Sequence, residues 1–335
     1  MGQYNIAVVG ATGMVGATFL KVLEERQLPC ANFYLYASEK SEGKKVIFNG
    51  AEHTILALTE KNILNKKIHI ALFSAGATVS EMFAPIFAKN GAIVIDNSSK
   101  WRTYPDVPLV VPEVNGAMAL NHKGIIANPN CSTIQAVVAI KPLYDKYGIK
   151  RIIYSTYQAV SGAGVAGYND LKNGIDGISP QKFPYQIFGN VIPQIDVFSD
   201  DGYTKEEIKM IFETKKILND TNLKVTATTV RVPVFHGHSE SINIEFIKPS
   251  DKNGIFDALQ NAPGIKVVDN LDKCEYPMPI HAEGSDLVFV GRIRTDKTVD
   301  SGCNIWVVAD NIRKGAATNA VQIAEYLIEH GGINQ

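Results

Sequence analysis

Tyr4-Asn5-Ile6-Ala7-Val8-Val9-Gly10-Ala11-Thr12-Gly13-Met14-Val15-Gly16 is an apolar run of strand length followed by three glycines, with two residues between each and the next. Behind them Val15, Phe19, Leu20, Val22 and Leu23 recur at helical spacing to about Arg26. A strand, a glycine turn and a helix in that order form a variant of the dinucleotide fingerprint. Glycine lets the backbone turn tightly and approach a pyrophosphate, which rests on the N–H groups of the helix N-terminus. The expected cofactor contacts are Gly10, Thr12, Gly13, Met14, Val15 and Gly16. A plain strand–turn–helix connection would share the glycines, so the flanking elements carry the reading.

Strand-like runs continue at 33–36, 68–73, 93–95, 109–111 and 125–127, with helical stretches between several of them, as at 79–89. That alternation predicts a doubly wound parallel α/β sheet. Beyond a helix beginning near Cys131 the texture changes. Runs at 152–157, 225–230, 241–246, 288–294 and 304–309 are β-rich with fewer helices between them, which predicts a second, mixed-sheet domain. The stretch 162–189, rich in Gly, Pro and Tyr, reads as a long surface excursion and a candidate interface arm. A last helix, about 314–329, carries Ala317, Ala320, Val321, Ala324 and Leu327 on one face and is expected to return to the first domain. The expected division is 1–130, completed by 311–335, and 131–310.

The second strand ends Tyr34-Leu35-Tyr36-Ala37-Ser38-Glu39-Lys40-Ser41. An NAD site usually places an acid at this tip to grip the ribose 2′-hydroxyl. Here Ala37 and Ser38 hold the tip, and Lys40 suits a 2′-phosphate while Glu39 opposes it. NADP is the favoured cofactor and NAD the alternative, with Ser38 and Lys40 as contacts.

With 33 basic and 34 acidic residues in 335, the chain has no net field to draw nucleic acid or anionic membrane. No apolar run approaches the roughly 18 residues of a membrane helix. Its start lacks a secretory pattern, and Ile6 stands where a myristoylation motif after Gly2 wants Ser or Thr. Cysteines 30, 131, 274 and 303 form no close pair, so neither a metal site nor a disulfide framework is expected, and a reducing cytoplasm fits. Asn97-Ser98-Ser99 and Asn130-Cys131-Ser132 match the glycosylation pattern by chance in such a chain.

Cys131 stands apart from the other cysteines. In Asn128-Pro129-Asn130-Cys131-Ser132-Thr133 it follows a strand, and Ser132 and Thr133 are residues that open helices. A helix N-terminus stabilises a thiolate, and Asn130 offers an amide near a developing oxyanion. Most free cysteines are inert, and Cys30, Cys274 and Cys303 are read as structural. A nucleophilic sulfur beside a hydride carrier suits interconversion of an aldehyde and an activated acyl group. Arg231-Val232-Pro233-Val234-Phe235-His236-Gly237-His238 supplies two imidazoles and a guanidinium at a strand end. Arg231 is either a surface charge or a fork for a carboxylate. Arg102, after Asp96-Asn97-Ser98-Ser99-Lys100-Trp101, follows a strand's carboxyl end, where such sheets bind ligands. By periodicity Glu213-Thr214-Lys215-Lys216 is the solvated face of an amphipathic helix.

These motifs, in this order, resemble the aspartate-β-semialdehyde dehydrogenase family over nearly the whole chain. Gln158-Ala159-Val160-Ser161-Gly162-Ala163-Gly164 and Gly237-His238-Ser239 add to the match. The resemblance implies a Rossmann domain plus a mixed α/β catalytic and dimerisation domain, and a homodimer or dimer of dimers. It implies Cys131 as the acylated nucleophile, His238 as acid/base and Gln158 as the residue orienting the thioester. It further implies that Arg231 pairs with the substrate α-carboxylate and Glu213 with its ammonium. Arg102, Lys216 and Asn97 would hold phosphate; Ser161, Gly162 and Asn311 would meet the cofactor. The implied reaction is reversible NADPH-dependent reductive dephosphorylation of L-4-aspartyl phosphate to L-aspartate 4-semialdehyde. That product feeds lysine, diaminopimelate, threonine and methionine biosynthesis. Lys40 stands where the family pattern has arginine, and His236 where it has a small or polar residue.

N-acetyl-γ-glutamyl-phosphate reductase shares the thioester logic, but its acetylated substrate would leave Glu213 without a cation. Glyceraldehyde-3-phosphate dehydrogenase fits less well, because Ser-Thr-Ile rather than Thr-Thr-Asn follows Cys131. An NADP-sensing regulator would keep the glycine loop and need no activated thiol.

Overall fold

The first strand, β1 (Tyr4–Val9), is buried along nearly its whole length, as befits the middle of a parallel sheet. The computed structural model that shows this describes residues 4–333; Gly2 and the start of the chain lie outside them. The chain divides into two units, one formed by Met1–Pro129 with Ala316–Gln335, the other by Asn130–Gly315.

In the first unit β1 is joined by β2 (Cys30–Ala37), β3 (Lys45–Phe48), β4 (Ala51–Ala57), β5 (Ile70–Phe73), β6 (Ile93–Asp96) and β7 (Ile125–Ala127). They form one sheet in the order β3-β4-β2-β1-β5-β6-β7, parallel except for the β3–β4 hairpin. The order reverses at β1, so the carboxyl end of that strand, with Val9 opposite both Tyr36 and Phe73, is the switch point where such sheets bind ligands. Its helices are α1 (Met14–Arg26), α2 (Glu60–Leu64), α3 (Ala77–Lys89), α4 (Pro112–Asn115) and α10 (Asn319–Glu329). One core cluster joins α1 and α10 to the sheet through Phe19, Val22, Leu23, Val321, Ala324 and Leu327. A second gathers Tyr36, Phe73, Ala84 and Phe87 with Val94.

In the second unit six strands, β8 (Ile149–Gln158), β9 (Lys224–Arg231), β10 (His238–Phe246), β11 (Ile265–Val267), β12 (Val288–Thr295) and β13 (Gly302–Ala309), form a mixed sheet ordered β11-β12-β13-β10-β8-β9. Its helices are α5 (Cys131–Tyr147), α6 (Gly164–Ile175), α7 (Lys205–Ile217), α8 (Lys252–Gln260) and α9 (Pro279–Ala282). The first two and a half turns of α5 after Cys131, from Ser132 to Ile140, are buried without a break, so this helix is central rather than amphipathic.

Three expectations need correction. Residues 109–111 form no strand: Leu109 makes one bridge to Ala127, and Pro108 and Pro112 confine the segment before Val111 caps α4. The excursion at 162–189 contains α6, and Asp170 on that helix accepts the backbone N–H groups of Gln181, Lys182 and Phe183, folding the loop back on it. The last regular α-helix begins at Asn319, after a wider π-type turn over Arg313–Thr318. Among the described residues no helix is long and apolar enough to cross a membrane.

Candidate active site

The glycine loop follows β1. Gly10 has φ +87°, and a Cβ on it would lie 2.3 Å from the Ser74 carbonyl oxygen; one on Gly16 would lie 2.0 Å from the Gly10 oxygen. Those two glycines are demanded by the fold itself. Gly13 is not: its Cβ would meet only the Gly10 oxygen, at 3.4 Å. Gly13 caps α1 without a side-chain hydrogen bond, and no acid occupies the first turn of the helix. Exposed Thr12 and Gly13, with half-buried Met14 and Val15, leave a cradle that fits a pyrophosphate. The Gly10 and Ala11 N–H groups both donate to the Tyr36 carbonyl, tying the loop to the end of β2, where Ser38, Glu39 and Lys40 are exposed.

At the carboxyl end of β6, Arg102 is buried, and its guanidinium donates to the carbonyls of Asn128 (3.0 Å) and Asn97 (2.7 Å). Asn97 Oδ1 accepts from Asn128 Nδ2 at 2.6 Å, whereas Asn97 Nδ2 is buried with no partner. A buried amide donor left unsatisfied beside a fixed guanidinium suits an anion.

The second unit gathers the thiol chemistry. Cys131 is the first residue of α5; Asn130 caps the helix, its Oδ1 accepting the N–H groups of Ser132 (3.0 Å) and Thr133 (3.3 Å). Cys131 Sγ lies 3.2 Å from His238 Nε2, and His238 Nδ1 accepts the Ala159 N–H at 3.0 Å. With Nδ1 an acceptor, the neutral ring carries its proton on Nε2, aimed at the sulfur. Burial first, then the Arg231 charge, hold His238 well below the usual imidazole range. Arg231 ends β9, buried, with one terminal nitrogen donating to the Ala159 carbonyl at 2.7 Å while its Nε has no partner. A Cβ on Gly162 would come within 3.0 Å of that guanidinium and 3.2 Å of the imidazole, so a side chain there would press on both.

Two readings change here. The Asn130 amide is not available to an oxyanion, because its Nδ2 donates to Glu206 and its oxygen caps the helix. Glu213 is not on a solvated face: it is 1% exposed and its carboxylate accepts the Asn130 N–H at 2.6 Å. Lys216, one turn along α7, is half-buried, and burial lowers its ammonium against the opposing pull of Glu213. Gln158 accepts from Thr156 Oγ1 and donates to Glu206 at 3.1 Å. Asn311 is spent as a strut, bonded to Ser161 Oγ and to the Gly237 N–H. His236 lies against the Tyr168 ring, with Nε2 4.0 Å from Glu283.

Sequence reading missed two neighbours. Glu206 is buried, yet kept below the usual carboxylate range because Lys209, Asn130, Gln158 and Arg231 outweigh its desolvation. Its signal was the spacing Glu206, Met210, Glu213, one face of α7. A Cβ on Gly315 would lie 2.9 Å from that of Cys131, so this glycine gives the nucleophile its room. The other thiols differ from Cys131: burial pushes Cys30 up to about 11 and Cys303 up to about 12, and Cys274 is exposed at a positive φ.

The semialdehyde dehydrogenase NAD binding domain matches residues 5–122 of this chain, and the semialdehyde dehydrogenase dimerisation domain matches 140–314. A protein of Aquifex aeolicus described as aspartate-semialdehyde dehydrogenase is 60% identical over 337 residues, spanning 98% of this chain and 99% of its own. The crystal structure of aspartate semialdehyde dehydrogenase II from Vibrio cholerae complexed with ASA is similar with TM-score 0.94 and 49% identity, over 98% of this chain and 99% of that one. The Candida albicans aspartate semialdehyde dehydrogenase with NADP is similar with TM-score 0.79 and 28% identity, over 99% and 100%.

Proposed function

The chain belongs to the aspartate-semialdehyde dehydrogenase family, and from that we propose that it interconverts L-4-aspartyl phosphate and L-aspartate 4-semialdehyde through a thioester on Cys131, with NADP(H) and phosphate. The observation that carries this reading is the Cys131 sulfur, at the start of a buried helix, 3.2 Å from an imidazole nitrogen whose tautomer is fixed from behind. In the reductive direction the thiolate attacks the acyl carbon; the C–S bond forms, the C–O bond to phosphate breaks, and inorganic phosphate leaves. Reduction of the thioester carbon takes its hydride from the nicotinamide, the one contribution drawn from the cofactor. His238 protonates the resulting oxyanion from Nε2, and the same nitrogen takes that proton back as the hemithioacetal collapses, the C–S bond breaking to release the aldehyde and return the thiolate.

The remaining roles follow the family pattern residue by residue. Arg231 takes the α-carboxylate, for which its unpartnered Nε is available. Glu213 takes the ammonium, and Gln158, held by Glu206, orients the acyl group. Asn97, through its unpartnered Nδ2, joins Arg102 and Lys216 on phosphate. Ser161 and Gly162, with Asn311 behind them, border the nicotinamide. Ser38 and Lys40 give NADP the preference over NAD. The proposed setting is a cytoplasmic homodimer, or dimer of dimers, supplying lysine, diaminopimelate, threonine and methionine synthesis.

Cys131→Ala tests the reading. Phosphate-dependent reduction of NADP by aspartate semialdehyde, followed by absorbance, should fall by on the order of 10⁴-fold or more, as for loss of other covalent nucleophiles. Near-normal turnover would remove the thioester.

A further inference from the structure

Helix α7 meets the start of α5 and the end of β8 through one acid. Glu206 lies in the first turn of α7, buried, and a single carboxylate oxygen accepts from two side-chain amides. Asn130 Nδ2 donates to Oε1 at 2.8 Å and Gln158 Nε2 donates to the same oxygen at 3.1 Å. Asn130 is the cap of α5, directly before Cys131; Gln158 ends β8, in register with Arg231. The other oxygen of Glu206 lies 3.3 Å from Lys209 Nζ, which also pairs with Asp196 at 2.8 Å. Two turns further along α7, Glu213 accepts the Asn130 backbone N–H at 2.6 Å, so this helix holds both N–H-bearing groups of Asn130.

An amide side chain has an accepting end and a donating end of nearly the same shape, so only its partners decide which way round it sits. An ionised carboxylate accepts and cannot donate, so Glu206 decides for both amides. Asn130 turns Nδ2 to the acid, which leaves Oδ1 for the N–H groups of Ser132 and Thr133, at 3.0 Å and 3.3 Å. Gln158 turns Nε2 to the acid, which leaves Oε1 for the Thr156 hydroxyl at 3.1 Å. Turned round, Asn130 would set its NH2 against two helix N–H donors and lose the cap. Burial, the largest influence, raises the acid, but Lys209, the two amides and Arg231 together keep Glu206 below the usual carboxylate range.

We propose that Glu206 is a positioning residue whose one carboxylate oxygen locks the amides of Asn130 and Gln158 in a single orientation each, and so sets both the cap of the nucleophile's helix and the amide that orients the acyl group. This deepens the reading above and rests on its roles for Cys131 and Gln158. A cap free to turn weakens the helix N-terminus that favours a thiolate on Cys131. A Gln158 free to swing misplaces the acyl carbon, and about 1 Å of displacement is enough to slow chemistry by about 10²-fold.

The test uses the full-length protein with two readouts, each normalised to folded protein. One is steady-state kinetics with aspartate semialdehyde, phosphate and NADP. The other is the rate at which iodoacetamide alkylates Cys131, followed by peptide mass, which reads the Asn130 arm without turnover. If the reaction assignment is wrong, parent and variants alike lack the turnover while the alkylation pattern stands. Glu206→Met removes the shared acceptor and should lower kcat at least tenfold, slow alkylation at least threefold, and leave the KM for semialdehyde within about threefold. A role in stability alone would move none of these in the folded protein. Glu206→Gln still offers one oxygen to both amides and should keep kcat and alkylation within about fivefold. Adding Asn130→Ser to Glu206→Met supplies a cap whose hydroxyl has no wrong way round; alkylation should return to within about threefold of the parent while kcat stays low, because Gln158 is still unheld. Should Glu206→Met fold poorly, this double variant, which has one orphaned amide fewer, carries the test by itself. The proposal is overturned if Glu206→Met or the double variant keeps kcat within twofold of the parent. It is overturned equally if Glu206→Gln loses as much as Glu206→Met, or if Asn130→Ser leaves alkylation as slow as before.

Discussion

Arg231 and Glu240 are both buried in the second unit, and their environments ask opposite things of them. Arg231 stays charged beside Glu206 and Cys131 although burial alone pulls its guanidinium down. Its planar fork has one terminal nitrogen on the Ala159 carbonyl and an Nε still unpartnered, a geometry an ammonium cannot copy. Arg231→Lys should therefore raise the KM for semialdehyde by roughly 10- to 100-fold, the range of a lost charge-assisted hydrogen bond. An unchanged KM would place the carboxylate elsewhere. Glu240 is shifted the other way, and the sign of the resulting linkage is fixed. A native acid that holds its proton more tightly than the unfolded chain loses stability as pH rises above the unfolded value of about 4.3, until its own raised pKa is passed. Glu240→Gln has no proton to lose. Its stability relative to the parent should grow between pH 5 and pH 8 in denaturant melts. A difference that is flat across that interval would mean that Glu240 is ionised in the native protein throughout.

The elements differ in how much their sequences revealed. Helix α5 was visible because Cys131-Ser132-Thr133 follows a strand, but the residue that caps it is Asn130, whose side chain also feeds Glu206. Asn130→Ala should cost about 1 kcal/mol for the cap alone and more for the orphaned Glu206, seen as a lower urea midpoint; an unchanged midpoint would deny the cap its role. Helix α7 was read as an exposed charged face because periodicity does not say where a helix lies. The partner that buries Glu213 is 83 residues away along the chain. The hairpin of β3 and β4 goes unread although Asn49-Gly50, both at positive φ, is a strong hairpin turn, because its outer strand is only four residues long. In 162–189 the glycines suggested turns. Gly167 is instead a packing residue of α6, since a Cβ there would lie 2.6 Å from Ala163 and 3.0 Å from Phe183.

For the molecule as a whole, the alternation of strands and helices before residue 130 and the β-rich run after it were enough to give a parallel sheet and a mixed sheet, because each reflects a local period. What no local period carries is which buried donors lack a partner, and those are the groups on which the substrate reading leans. The proposed preference for NADP likewise rests on few atoms, at the exposed end of β2. A ligand that binds only the native chain at 100 times its Kd stabilises what it binds by about 2.7 kcal/mol, so NADP should raise the midpoint of the thermal transition to which the first unit contributes. With two separate cores, that transition need not include the whole chain. Lys40 is exposed, so its attraction for a 2′-phosphate is screened and modest. Lys40→Ala should weaken NADP binding by up to about fivefold and leave NAD unaffected, because NAD has no phosphate at that position. Isothermal titration of both cofactors against parent and variant measures this directly. Equal losses for NADP and NAD would show that the substitution damages the loop rather than a phosphate contact, and no loss for either would pass the 2′-phosphate to Ser38 and the backbone around it.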